Sequence, residues 1–343
     1  MTQVGILGAT GAVGQRFIQL LTDHPDFDIG VLTASADSAG DSYRSAAKWQ
    51  VDTPIPESVA DQTVRRTDPE AVPDDVDLLF SSLPSDVAAT VEPEFLDAGY
   101  VVSSNSSNER QAPDVPLVIP EVNPEHLDLL AEQQDRRGWD GALVKNPNCS
   151  TITMVPALAA LREFEIERVH VATLQAVSGA GYSGVSSMEI IDNALPHIGG
   201  EEGKMEHESR KLLGEYTDAT IDWLDADVTA SCNRIPTIDG HLENVFVEFG
   251  SDPSVGDVES ALASAESAAL PSAPDPLITV FSDPDRPQPR LDRMVGDGMG
   301  IAVGGIQETA TGVQFNVLAH NTIRGAAGAS ILNGELLAAR GWL

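Results

Sequence analysis

The chain has 343 residues, with 53 acidic against 20 basic side chains and a formal net charge of -33. This length predicts two domains, each large enough to bury its own core. A balance this acidic argues against nucleic acid as a partner, because phosphate binding needs basic patches. No apolar run reaches the length of a membrane-spanning helix, so we expect no membrane partner either.

The acidic residues are spread over the whole length and interrupt well-patterned segments, which a disordered acidic chain would lack. We therefore hypothesise a halophilic protein in a salt-rich cytosol, where salt screens the self-repulsion of so large a net charge. The N-terminus begins directly as a strand without a basic segment, so we expect no signal peptide and a cytoplasmic location. The two cysteines, Cys149 and Cys232, are then expected to be reduced.

The first predicted strand covers residues 4–7 and leads into a glycine-rich turn and a helix through Leu21. Glycines at such a turn allow a backbone to approach a pyrophosphate at the helix N-terminus. Their spacing is Gly-x-x-Gly-x-x-Gly rather than the commoner Gly-x-Gly-x-x-Gly, yet the position favours dinucleotide binding over a plain tight turn. The predicted cofactor contacts in this turn are Gly8, Thr10, Gly11, Ala12, Val13 and Gly14.

The second strand, residues 29–33, bears on the choice between NADP and NAD. An acidic residue is expected just after it if the ribose carries a free 2′-hydroxyl, but Ser35 stands there. A small hydroxyl leaves room for a 2′-phosphate, which favours NADP. Asp37 and Asp41 lie close by and would repel that phosphate, so NAD stays open as an alternative.

The parallel sheet is predicted to continue after an irregular excursion at residues 52–73. Its further strands are residues 76–83, 100–103, 117–123 and 142–144, with helices through 91–98 and 124–134 between them. The carboxyl ends of these strands should face the cofactor crevice, which places Ser82 beside the cofactor.

The stretch from Asn146 to Thr151 is predicted to hold the reactive group, Cys149. An apolar strand leads into it and an apolar helix leads out, so the thiol lies at a helix N-terminus. Unpaired N–H groups and the helix dipole there favour a thiolate with a lowered pKa, and the same N–H groups could hold an oxyanion. The alternative is a small buried thiol beside an Asn-Pro turn.

After Cys149 the pattern changes to alternating strands, first at residues 168–177 and then around a predicted flexible loop at 178–184. Further strands are predicted at 228–233, 242–249, 277–281, 300–307 and 313–319, with helices at 201–213, 257–269 and 321–340. The fold class is therefore α/β, with a Rossmann-like N-terminal domain and a second α+β domain on a mostly antiparallel sheet. We place the domains at residues 1–148 plus 321–343 and at 149–320, with Cys149 in the cleft between them.

A thiolate beside a nicotinamide indicates addition to an aldehyde, hydride transfer and attack on the resulting thioester. His241 is the candidate acid and base, Arg234 can fork onto a carboxylate, and Lys204, one of four lysines, can bind a phosphate. The alternatives are a structural histidine, a surface ion pair and a helix-surface charge paired with Glu201 or Glu208.

Taken together, these motifs resemble the aspartate-β-semialdehyde dehydrogenases of archaea and fungi over essentially the whole length. The segments that carry the resemblance are residues 8–14, 146–151, 175–181, 201–204, 234–241 and 320–328. The resemblance implies NADPH-dependent reduction of L-aspartyl-4-phosphate to the semialdehyde and inorganic phosphate, on the route to lysine, threonine and methionine. It also implies a homodimer or homotetramer, and it calls for no metal.

The resemblance assigns roles to individual residues. Cys149 would be the nucleophile, His241 the acid and base, and Gln175 would orient the substrate. Substrate binding would fall to Arg234, Glu201, Lys204, Arg110 and Asn148. Beyond the glycine-rich turn, the cofactor would contact Ser35, Ser82, Gly179 and Asn321.

Two rival functions remain. A malonyl-coenzyme A reductase of the same branch would also use Cys149, but it would have no reason to keep Glu201 for an α-amino cation. A non-catalytic dinucleotide-binding regulator would need the glycines but not a cysteine, a histidine and an arginine converging on one cleft.

Overall fold

The structure is a computed structural model that describes residues 1–181 and 184–343. Tyr182 and Ser183, in the predicted flexible loop, lie outside the described residues. The N-terminal strands are β1 Thr2–Leu7, β2 Phe27–Ala34, β3 Arg65–Arg66, β4 Val76–Ser81, β5 Val101–Ser104 and β6 Ala142–Lys145. The helices of this part are α1 Ala12–Leu21, α2 Tyr43–Ala46, α3 Glu57–Ala60, α4 Ser85–Asp97 and α5 Leu129–Arg137.

These six strands form one parallel sheet in the order β3-β2-β1-β4-β5-β6. Apolar side chains cover both of its faces, as expected of a parallel sheet between helices, and two separate buried clusters form there. The strand order reverses between β1 and β4, which leaves a crevice at their carboxyl ends. Gly8 follows β1 and Ser82 follows β4, so both lie at that crevice.

The second half begins with helix α6, Cys149–Ala160. Its strands are β7 Ile166–Gln175, β8 Glu215–Thr217, β9 Thr220–Asp222, β10 Asp227–Arg234, β11 His241–Phe249, β12 Ile278–Phe281, β13 Ile301–Glu308 and β14 Gly312–Ala319. Its further helices are α7 Ser187–Ile190, α8 Glu201–Leu212, α9 Val255–Ala263, α10 Pro289–Asp292 and α11 Gly328–Ala339.

The large sheet of this half has the order β10-β7-β11-β14-β13-β12. Its three central pairs are antiparallel, whereas both edge pairs, β10 with β7 and β12 with β13, are parallel. The sheet is therefore mixed. Helix α6 packs into its core through Ile152, Val155 and Leu158, and α11 returns to the N-terminal core through Ile331 and Leu337.

Three local predictions differ from the structure. The helix predicted at 257–269 is α9, Val255–Ala263, and ends at Ala263 rather than at Ala269. Residues 117–123 do not form a strand: only Leu117 bridges to Lys145, and the Asn123 side chain then holds a turn by accepting from the Ile119 N–H at 2.8 Å. The final helix begins with a π-helical turn, Ile323–Ala327. Arg324 in that turn is fully buried and forks onto Glu121, with nitrogen–oxygen distances of 2.7 and 3.0 Å.

Within the described ranges, every helix is too short or too polar to cross a lipid bilayer.

Candidate active site

The cleft between the two sheets contains a cavity of about 440 Å³ that both halves line. The N-terminal half contributes Asn105 and Arg110, and the second half contributes Cys149, Lys204 and Arg234. A second cavity of about 620 Å³ lies over the glycine-rich turn. The two cavities share Ala12, Val13 and Gly181 among their lining residues, so they form one continuous cleft.

Cys149 is the first residue of α6, and Asn148 caps the helix. The Asn148 Oδ1 accepts hydrogen bonds from the N–H groups of Ser150 at 2.9 Å and Thr151 at 3.2 Å. The predicted use of these N–H groups as an oxyanion hole is therefore corrected, because the cap already occupies them. The N–H of Cys149 itself makes no hydrogen bond to the part of the chain that the structure describes, so it is the available donor.

Cys149 and His241 contact each other directly: the distance from Sγ to Nε2 is 3.2 Å. On the other side of the ring, the Ala176 N–H donates to Nδ1 at 3.0 Å. Because Nδ1 accepts this bond, the proton of the neutral ring is assigned to Nε2, where it faces the sulfur. The backbone thereby selects one tautomer of His241.

The pKa of Cys149 differs from the prediction of a lowered value, and the pKa of His241 is shifted as well. Burial, and next the charge of Glu201, raise the pKa of Cys149 to about 12. Burial, and next the charge of Arg234, lower the pKa of His241 to about 3. The desolvation of the sulfur outweighs the helix N-terminus, so without ligands the site holds a neutral thiol beside a neutral imidazole.

Glu201 is the centre of a polar network at the cavity wall. Its Oε1 accepts from Asn148 Nδ2 at 2.8 Å and from Gln175 Nε2 at 3.3 Å. Its Oε2 lies 3.2 Å from Lys204 Nζ. Gln175 is buried behind this carboxylate, and the Asn148 side chain serves the helix cap and Glu201. Lys204 forms the ion pair of the alternative interpretation and also lines the cavity.

Two arginines line the same cavity. Arg234 donates from Nη1 to the Ala176 carbonyl at 2.6 Å, which fixes its guanidinium beside the His241 ring. Arg110 donates from Nη1 to Glu208 at 3.0 Å and from Nη2 to the Asn105 carbonyl at 2.6 Å. Together with Lys204, they bring three cationic side chains to the wall that carries Cys149, a composition suited to a substrate with several negative charges.

The second cavity collects most of the predicted cofactor residues. Those that line it are Gly8, Thr10, Gly11, Ala12, Val13, Ser35 and Ser82. Gly8 has a φ of +83°, and the Ser82 hydroxyl donates to the Leu7 carbonyl at 3.0 Å, which holds the turn against β4. A glycine-rich turn at the crevice of a parallel sheet fits a dinucleotide.

Gly14 is not among the described residues that line this cavity. A Cβ at Gly14 would lie 2.3 Å from the Gly8 carbonyl oxygen, so this glycine permits α1 to pack against the turn. Asp37 and Asp41 are exposed and do not line the cavity either, whereas Arg66, which the sequence analysis missed, does. Arg66 pairs in register with Ala34 on the neighbouring strand, next to Ser35.

The other two predicted cofactor residues lie in the catalytic cavity. Asn321 accepts from the Gly240 N–H and donates to the Ser178 hydroxyl, both at 2.8 Å, and so ties the start of β11 to the loop after β7. Gly179 packs against His241 and Arg234: a Cβ there would lie 3.3 Å from the imidazole and 3.1 Å from the guanidinium.

The sequence analysis also missed a second buried carboxyl group, Glu243, which lies two residues after His241 on β11. Burial raises the pKa of Glu243 well above its usual range.

Among the described residues no group of His, Cys, Asp and Glu side chains is placed to hold a metal ion. A dinucleotide-binding sheet that opens onto a cysteine–histidine pair defines the class of cysteine-dependent aldehyde dehydrogenases.

Comparison with known proteins identifies the family within that class. Residues 3–130 match the semialdehyde dehydrogenase NAD-binding domain, and residues 158–324 match the semialdehyde dehydrogenase dimerisation domain. An aspartate-semialdehyde dehydrogenase of Methanothermobacter thermautotrophicus is 51% identical, over 98% of this chain and 99% of its own. One from Schizosaccharomyces pombe is 45% identical, over 99% and 98%.

A solved structure extends the comparison. The crystal structure of aspartate-semialdehyde dehydrogenase with NADP from Candida albicans superposes with a TM-score of 0.91 at 41% identity, and the match covers 100% of both chains. The chain belongs to the aspartate-semialdehyde dehydrogenase family.

Proposed function

We propose that this protein reduces L-aspartyl-4-phosphate to L-aspartate 4-semialdehyde and inorganic phosphate, with NADPH as the reductant. The observation that carries the proposal is the Cys149–His241 pair, 3.2 Å apart, on a cavity wall with Arg110, Lys204 and Arg234. The NADP in the Candida albicans structure supports the cofactor. Arg66 beside Ser35 supports binding of the 2′-phosphate.

In the proposed reaction, the Cys149 sulfur attacks the carbonyl carbon of the acyl phosphate. A carbon–sulfur bond forms, the carbon–oxygen bond to phosphate breaks, and the thiol proton leaves with the phosphate. Arg110 and Lys204 stabilise the departing phosphate, while Arg234 binds the α-carboxylate and Glu201 the α-amino group. Gln175 and Asn148 hold Glu201 in place.

The second half of the reaction reduces the thioester on Cys149. When bound, the nicotinamide supplies the hydride. The N–H at Nε2 of His241 and the N–H of Cys149 donate to the oxygen that gains negative charge. Collapse of the thiohemiacetal then releases the aldehyde and returns the Cys149 thiolate.

The finer assignments belong to the same proposal. The division into residues 1–148 plus 321–343 and 149–320 is supported by the separate buried cores of the two sheets. A homodimer or homotetramer through the open face of the large sheet is supported by Phe246, which is 42% exposed there, and by the match to a dimerisation domain. Two free cysteines support the cytoplasm, and the net charge supports a salt-rich cytosol.

The reverse reaction tests the proposal. Aspartate semialdehyde and phosphate are supplied in molar KCl, and the absorbance of the reduced cofactor is followed with NADP and then with NAD. We expect phosphate-dependent reduction that is faster with NADP. In an enzyme, Cys149→Ser should abolish turnover. A non-catalytic regulator would show no turnover even as wild type, and its Cys149→Ser variant would still bind the cofactor. Folded wild-type protein that reduces neither cofactor would overturn the proposal.

A further inference from the structure

Helix α8 carries a second pair of charged side chains beyond those that line the cavity. Glu201, Lys204, Glu208 and Lys211 are spaced by three, four and three residues, so they share one face of the helix. Glu201 and Lys204 line the cavity. Glu208 and Lys211 are only 2% and 1% exposed, behind its wall. The mechanism above does not use these two buried charges.

Glu208 joins two parts of the active site that come from distant segments of the chain. Its Oε1 accepts from Arg110 Nη1 at 3.0 Å, on the loop that follows β5. Its Oε2 accepts from the backbone N–H of Asn148 at 2.6 Å, immediately before Cys149. One carboxylate thus fixes both a candidate phosphate-binding guanidinium and the peptide that leads into the nucleophile.

Lys211 holds the same loop from the next turn of α8. Its Nζ donates to the carbonyl oxygens of Arg110, Ala112 and Val115 at 2.8, 2.7 and 2.7 Å. Three carbonyl acceptors around one buried ammonium fix the backbone on both sides of Arg110. Helix α8 therefore determines where this loop places the Arg110 guanidinium.

We propose that Glu208 is a positioning residue that sets where Arg110 stands relative to the Cys149 sulfur. Acyl transfer between sulfur and phosphate needs both groups placed against the same carbonyl carbon, and a misplacement of about 1 Å can cost about 100-fold in rate. Glu208 is the side chain that links the two groups directly. This inference rests on the proposed reaction, because it takes phosphate to be the ligand of Arg110.

Glu208→Gln tests the inference in the phosphate-dependent reverse reaction. The amide offers one acceptor oxygen in place of two, and its NH₂ faces a donor, so Arg110 or the Asn148 peptide loses its partner. We expect the KM for phosphate to rise by roughly tenfold, the loss expected for one charge-assisted hydrogen bond. The KM for aspartate semialdehyde should change less than about twofold, since the side-chain hydrogen bonds that hold Arg234 and Glu201 do not involve Glu208. A merely structural role would change both constants together.

Glu206→Gln is the matched control, because it removes the same charge from the same helix. Glu206 accepts from the Ala230 N–H at 3.3 Å and does not line the cavity among the described residues. Both constants should stay at their wild-type values. If Glu208→Gln does not fold, Glu208→Asp keeps the charge but is one methylene too short to reach both donors, and we expect the same separation of the two constants.

The outcomes are distinct. Wild-type turnover without phosphate dependence would contradict the proposed function. A phosphate-dependent wild type with an unchanged or lowered KM for phosphate in both Glu208 variants would overturn the positioning role.

Discussion

The charge of Glu201 should suppress the reactivity of Cys149 in the ligand-free enzyme, and Glu201→Gln tests this. After burial, Glu201 is the largest cause of the raised Cys149 pKa. Removing a negative charge favours the thiolate, so the pKa of Cys149 falls and more thiolate is present at every pH below it. A neighbouring charge moves a pKa by about 1 or more, and a fall of one unit in the pKa of Cys149 raises its thiolate population about tenfold.

Alkylation by iodoacetamide at pH 7.5 measures the thiolate of Cys149, with peptide mass spectrometry to separate it from Cys232. Glu202→Gln is the matched control, because Glu202 acts on the other cysteine. Its carboxylate accepts from the Cys232 N–H at 3.3 Å, and its charge is the second cause, next to burial, of the raised pKa of Cys232. We expect Cys149 to react at least about tenfold faster in Glu201→Gln than in wild type, and at the wild-type rate in the control. Salt should change this little, because buried charges are poorly screened.

Two results would refute the reasoning. Equal Cys149 alkylation in both variants would mean that Glu201 does not act on the sulfur. A wild-type alkylation rate of Cys149 that reaches its plateau by pH 7 would mean that the thiolate is already formed at that pH. The helix N-terminus would then stabilise the thiolate by more than burial disfavours it.

Three further predictions concern the cofactor, the nucleophile and the net charge. Arg66→Ala should raise the KM for NADP by roughly tenfold and leave that for NAD unchanged, while Arg65→Ala, outside the cavity lining, should alter neither; equal effects on both cofactors would exclude a 2′-phosphate contact. Gly325→Ala places a Cβ 2.8 Å from that of Cys149 and should lower kcat by about 100-fold, whereas Gly203→Ala, with no atom within 4 Å, should not. The thermal midpoint should rise steeply with KCl concentration, and a protein equally stable in low and molar salt would contradict the salt-rich cytosol.

Local patterns were enough for the part of the site that each segment builds alone. The glycine-rich turn and the strand–Cys149–helix junction follow from short-range periodicity and turn chemistry, and both are where they were predicted. The fold class follows from the change of strand pattern after Cys149. The parallel edge pairs of the second sheet were missed, because pairing direction depends on chain connections that side-chain alternation does not encode.

The features of the site that were not predicted depend on contacts between segments that are distant along the chain. The pKa of Cys149 is set by burial against β11 and by Glu201, and a helix N-terminus alone predicts the opposite direction. Arg66 reaches the cofactor cavity because β3 pairs with β2. A strand of two residues is too short to be predicted from hydrophobic periodicity. In the sequence, Glu208 is one of several acidic residues on the same helix, and its contact with Arg110 exists only in the folded structure.

The buried fork between Arg324 and Glu121 has a consequence for how the cleft meets its ligands. The chain passes between the two halves before α6 and again before α11, and the fork lies beside the second passage. Both partners belong to the half made of residues 1–148 and 321–343, so detaching the C-terminal segment from that half would separate two fully buried charges, which is strongly unfavourable. We therefore expect the C-terminal segment, which brings Asn321 and Gly325 to the catalytic cavity, to be in place before ligands bind, so that they meet this part of the wall preorganised.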